Sequence, residues 1–151
     1  MQITPRKINS FMLFKLPLAY FGGVRVKSIS ETDSIVHIKH KWMNQNPFKS
    51  MFWAAQGMAA EMTTGVLVMK EIQASQRKVS MLVTNQNAVF TKKATGKIKF
   101  ICKDGSLVRN AIQKSIETGE GQTLIMTSEG FNEDEISVSR FQFEWSLKVK
   151  N

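Results

Sequence analysis

The stretch from Met51 to Met69, MFWAAQGMAAEMTTGVLVM, holds a single ionisable side chain, Glu61, near its middle. Apolar and small residues surround it on every side, the pattern of a helix buried nearly all round. A carboxylate taken out of water is costly unless a partner, a water or a raised pKa compensates. Two readings follow. Glu61 is neutralised for structural reasons, by bonding a backbone group or pairing with a Lys from a neighbouring strand, or it is a poised acid or base. Gly57 and Gly65 lie one turn to either side of it, and Thr64 lies on the neighbouring row. Small residues at those positions either leave room beside the carboxylate or permit close helix-to-sheet packing. Asn46 is a loop residue by default, with a side chain able to orient a bound molecule or a water. His37 and His40 fall on opposite faces of a strand and cannot form a shared metal pair, so no metal site is expected.

The elements that position these residues follow from periodicity. Thr4 can cap an N-terminal helix and Pro5 suits its first position; Ile8, Phe11, Met12 and Lys15 follow at helical spacing, and Pro17 is expected to stop it, so residues 1–16 lead into the domain. Gly22 and Gly23 mark a turn. Alternation from Val24 onward, broken at Glu31 to Asp33 and resumed at Ile35 to His40, predicts two strands joined by a short turn. Asn44 to Pro47 form a polar break, after which the long helix should begin, capped by Asn46 or Ser50, and run to about Gln73, on the order of 35 Å. Strands are expected over Val79 to Thr91 and Gly96 to Lys103, a short helix over Asp104 to Glu117 ended by Gly119, and strands over Gln122 to Ser128 and Ile136 to Val149. Most connections are too short for parallel crossovers. The fold class is therefore α+β, with a largely antiparallel sheet curled around one long helix.

A chain of 151 residues suits one domain with one core, and 42% hydrophobic with 22% charged residues excludes disorder. Lys and Arg outnumber Asp and Glu by 21 to 12, and the net charge of +9 predicts attraction to something anionic. An RNP-type aromatic strand, a GXXG loop and a helix-turn-helix pattern are all missing from the sequence, so a nucleic-acid partner is not expected. The single Cys102 leaves no internal disulfide and no need for an oxidising compartment, which makes the cytoplasm the expected location. Lys15 and Pro17 interrupt the apolar run from Phe11 to Phe21 and argue against a signal peptide. The Met51 to Met69 run carries Glu61, Gln56, two threonines and two glycines, which favours a buried core helix over a membrane span.

The segments LPLAYFGGVRV, NQNPFKSMFWAAQGMAAEMTTGVL and ATGKIKFICKD, with this order of elements, resemble an uncharacterised group of the hotdog superfamily related to PaaI-type acyl-CoA thioesterases. The resemblance runs from about Leu16 to Val149. It implies a hotdog fold, a homodimer or dimer of dimers with sites built between subunits, and an acyl thioester of coenzyme A as substrate, with no other cofactor. PaaI-type enzymes open the helix with His-Gly-Gly; matching their acidic residue to Glu61 places Phe52, Trp53 and Ala54 at those positions.

On this resemblance Glu61 acts as the base; Asn46, from its place in the loop, is expected to orient a substrate or water. Thioester hydrolysis also needs donors aimed at the oxygen that becomes negative. The N–H groups of Phe52 and Trp53 are expected to supply them, because a helix start presents unpaired donors and partial positive charge. Gly57, Thr64 and Gly65 would make room for substrate, and Lys92 and Lys93 would meet the coenzyme A phosphates. The alternative is a hotdog protein that binds an acyl or lipid-like ligand without turning it over.

Overall fold

A computed structural model describes residues 2–151 of the chain; Met1, the first residue of the segment expected to lead into the domain, lies outside the described residues. Helix α1 spans Pro5–Lys15, with the Thr4 hydroxyl accepting from Lys7 N at 3.2 Å. Pro17 does not simply end it. It opens a second short helix, α2 (Pro17–Phe21), at the position where a missing N–H is harmless and a fixed φ is an advantage.

Six strands follow the expected alternation: β1 Arg25–Ile29, β2 Ser34–Lys39, β3 Val79–Phe90, β4 Lys97–Cys102, β5 Gln122–Phe131 and β6 Ser137–Val149. They form one antiparallel sheet in the order β1-β2-β4-β5-β6-β3. Strand β5 continues past Ser128 because Gly130 lets the backbone lie against the Phe100 ring; a Cβ there would stand 2.6 Å from a ring carbon. Helix α4 (Gly105–Thr118) ends on Gly119 in the left-handed region.

The sheet curls around α3 (Trp53–Ser75, 23 residues), so that Val36, Ile38, Phe100, Met126, Phe141 and Leu147 bury against it. Its buried hydroxyls find partners on the strands. Ser34 donates to Thr63 O, and Thr63 Oγ1 meets Ser128 Oγ at 2.8 Å. The two sheet edges differ. At β1, the Asn9 amide of α1 pairs with the Val26 backbone, accepting from its N–H at 2.8 Å and donating to its C=O at 3.0 Å. At the other edge β3 pairs, among the described residues, only with β6, and exposes Leu82 and Val89. No helix among the described residues is long and apolar enough to cross a membrane.

The long helix starts later than its sequence break suggests, and neither Asn46 nor Ser50 caps it. Asn46 Oδ1 instead accepts from Phe48 N and Ser50 N of its own loop, while Met51 N bonds Ala94 O and Phe52 N bonds Asn44 O. These contacts hold the chain extended through Phe52, the N-cap residue. Asn44, 4% exposed, anchors the whole arrangement: Nδ2 donates to Gly22 O and Lys39 O at 2.8 and 2.9 Å, and Oδ1 accepts from Lys41 N at 2.9 Å. Asn44→Ala leaves those groups without partners and is expected to lower unfolding free energy in urea by about 2 kcal/mol or more.

Candidate active site

Glu61 projects from the middle of α3 into a cavity of about 160 Å³. Ile8 and Phe11 of α1 and Leu16 close one side of it; Met69, Met81 and Trp145 line the rest. No cation and no hydrogen-bond donor of the described residues reaches the Glu61 carboxylate, which removes both structural explanations for its presence. The residue as a whole is exposed, yet burial raises its carboxyl pKa above the ordinary carboxylate value. The two observations agree, because apolar walls displace water from the carboxyl even where the opening leaves the side chain accessible.

The helix holds a second acid outside that run, and it behaves in the opposite way. Glu71 is 7% exposed and bonds the Arg109 guanidinium of α4 at 3.2 and 3.4 Å; Glu31 and Lys70 complete the network. A buried carboxylate with its cation in place is a structural clamp between α3 and α4. Glu61 has no such partner.

The small residues around Glu61 divide in role. Gly65 lines the cavity, and its missing side chain leaves space next to Trp145, where an added Cβ would make ordinary contact at 3.8 Å. Thr64 is fully buried and committed: it donates to Glu61 O at 2.7 Å and accepts from Trp145 Nε1 at 2.9 Å. It therefore fixes the helix against β6 instead of facing the opening. Gly57 lies against Phe141, 3.4 Å from the position of an added Cβ, and serves packing.

The remaining expected residues gather elsewhere. A larger cavity of about 470 Å³ at the start of α3 is lined by Asn46, Phe52, Trp53, Lys92 and Lys93. Trp53 lies eight residues before Glu61, roughly 12 Å along the helix axis. One chain thus holds the carboxylate and the helix-start donors in separate cavities. The expected donor pair also needs correction: Phe52 N–H is taken by Asn44 O at 2.8 Å, because the loop runs antiparallel to itself before the helix begins. The N–H groups of Trp53 and Ala54 have no acceptor among the described residues. Asn46 is occupied as well, with Nδ2 donating to Ser50 Oγ at 2.9 Å and Met51 O at 3.3 Å, so it shapes the loop that presents the helix start. Lys93 Nζ reaches Phe48 O at 3.4 Å.

Gln56 is the residue that sequence reasoning passed over. It lines the larger cavity while only 4% exposed. A signal existed: it is the one amide in an apolar helix start, between Ala55 and Gly57. Two other groups are set apart from any chemistry here. Burial pushes the Cys102 thiol up to about 12, which leaves it protonated and unreactive. His37 is lowered by burial first and then by Lys97, Lys27 and Lys99 around it. Among the described residues no group of His, Cys, Asp and Glu is arranged to hold a metal ion.

An antiparallel sheet wrapped around one long helix is the hotdog fold. Residues 5–147 match the family described as a domain of unknown function, DUF4442, and the chain belongs to that family. A probable thioesterase of unknown function from Pseudomonas aeruginosa, PA5026, superposes with a TM-score of 0.83 at 18% identity over 99% of each chain. The thioesterase HI1161 from Haemophilus influenzae superposes at 0.75 with 11% identity, over 99% of this chain and 93% of its own. The PaaI protein of Escherichia coli gives 0.65 at 11% identity, over 93% and 96%. No curated protein matches the sequence.

The raised Glu61 pKa predicts a pH effect with a definite sign. The folded chain holds this proton more tightly than the unfolded chain, so the associated stability is present below the unfolded value and is lost as pH rises through the folded one. Glu61→Gln cannot ionise. Its melting temperature is expected to match the parent's near pH 4 and to exceed it at about pH 8, where the parent carries the desolvated charge. Parallel melting curves across that range would show a carboxyl that keeps its water on folding.

Proposed function

We propose that this protein hydrolyses acyl thioesters, with coenzyme A as the carrier and Glu61 as the general base. The observation that supports this most directly is the unpartnered Glu61 carboxyl in an apolar cavity, its pKa raised by burial. A carboxylate so shifted accepts a proton from water more readily near neutral pH than an ordinary one. The water, deprotonated by Glu61, attacks the thioester carbonyl; the tetrahedral oxyanion forms and collapses, the carbon–sulfur bond breaks, and the leaving thiolate takes from Glu61 the proton that the carboxylate removed from the water, which restores the base.

The oxyanion needs donors, and the free pair at Trp53 and Ala54 is too far along its own helix to serve the Glu61 of the same chain. A second copy resolves this: helices packed side by side in opposite directions would set the helix start of one chain beside the carboxylate of the other. The open edge at β3 favours the same arrangement, since a long strand with unpaired backbone groups and exposed Leu82 and Val89 is a surface for another copy. Asn46 then acts as a positioning residue for the donors, Gly65 leaves room for the acyl group, and Lys92 and Lys93 take the carrier's phosphates. The likeness to HI1161, a thioesterase, and to PA5026, a probable one, supports the reaction class. A free, inert Cys102 suits the cytoplasm.

A second reading keeps the ligand and drops the turnover. It is favoured by Phe52, Trp53 and Ala54 standing where PaaI-type helices open with His-Gly-Gly. Thiol release from a panel of acyl-CoAs separates the two. Hydrolysis is expected in the parent and a fall of about 100-fold or more in Glu61→Gln with the fold intact; equal rates in both would take Glu61 out of the reaction, and thermal stabilisation by acyl-CoA without thiol release would favour the binding protein. Lys92→Ala with Lys93→Ala is expected to raise KM for acyl-CoA severalfold while leaving kcat near the parent value, the pattern of lost uniform binding.

A further inference from the structure

The larger cavity is walled by Phe48, Phe52, Trp53 and Phe90, and bordered by Lys92 and Lys93. Gln56 lines it and is 4% exposed. Its Nε2 points to Met51 O at 3.5 Å, which sets the orientation of the amide, because the reverse would place two carbonyl oxygens face to face. Oε1 is then left with no donor from the chain. A buried amide oxygen in that state is costly, and a methionine of similar volume would fill the space without the cost. Packing alone gives no reason for an amide here.

The three features together describe recognition. Aromatic walls suit an apolar body, a pair of cations suits an anionic end, and one buried acceptor selects for one donor. We propose that this cavity binds an anionic, apolar-bodied ligand carrying a hydroxyl or amide N–H; as the ligand seats, a small rotation of the Gln56 side chain brings the enclosed Oε1 to that donor while the anionic end rests on Lys92 and Lys93. The inference deepens the thioester reading and rests on it for the source of the ligand. The donor belongs either to a hydroxylated acyl group or to an amide in the carrier's arm.

Trp53 borders the cavity and reports its occupancy by fluorescence. The full-length protein is titrated with octanoate and 3-hydroxyoctanoate, and separately with ADP and coenzyme A. In at least one pair the member with the added hydroxyl or the pantetheine amides is expected to bind about tenfold more tightly, the effect of one satisfied buried acceptor, and Gln56→Met is expected to reduce that preference by the same factor without lowering the melting temperature. A preference within the first pair assigns the donor to the acyl group, and one within the second assigns it to the carrier. Should Gln56→Met not fold, Gln56→Asn withdraws the oxygen by one methylene and carries the same expectation. Equal affinities within both pairs, a preference that survives the substitution, or no saturable change with any of the four ligands would overturn the proposal. The readout needs no turnover. Its failure leaves hydrolysis by Glu61 standing, and a lack of hydrolysis leaves this site standing.

Discussion

A helix wrapped by a sheet on almost every side must have each of its polar side chains answered by the surroundings, and this requirement organises the molecule. Along α3 the strands and α4 supply the answers one at a time. Thr63 meets Ser128, Thr64 meets the indole N–H of Trp145, and Glu71 meets Arg109. Each partner comes from a different element, so each contact fixes one more neighbour against the helix. Among the described residues, the Glu61 carboxyl and the buried Gln56 amide oxygen are left unanswered in the first half of α3, and both residues line cavities. In a helix where satisfaction is the rule, these exceptions separate structural polarity from polarity held for another molecule.

Much of this was legible in the sequence. Strand alternation is a local property, and it located all six strands because each has one face on the core. The lone carboxylate was visible because no other side chain from Met51 to Met69 is ionisable. What was not legible depends on contacts between distant residues. Phe52 N–H is occupied because Asn44 lies across the loop from it, and no propensity encodes that pairing. Pro17 read as a stop because proline ends a helix it falls inside, whereas here it falls at the first position of another. Glu61 and the helix start seemed one site because they share a helix; only the placement of α1, β3 and the loop before α3 divides the space into two cavities.

The charge distribution bears on the same division. Lys92 and Lys93 flank the larger cavity, while the smaller one, apart from Glu61, has apolar walls. A ligand with a charged end and a greasy end is thereby offered two different environments along one helix. His37, held low by burial and by the cations of neighbouring strands, shows that part of the remaining positive charge gathers on β1, β2 and β4, among residues that line neither cavity.

The unequal treatment of the two sheet margins has a consequence for assembly. Asn9 plugs the β1 margin with its own amide, imitating the strand that would otherwise dock there. Recruitment of a further strand is then hindered beside Val26 and open along β3. Two chains joined at that border would present a plugged margin at either extremity, so the same amide that tidies a single subunit would also act as a terminator, halting polymerisation at a closed pair.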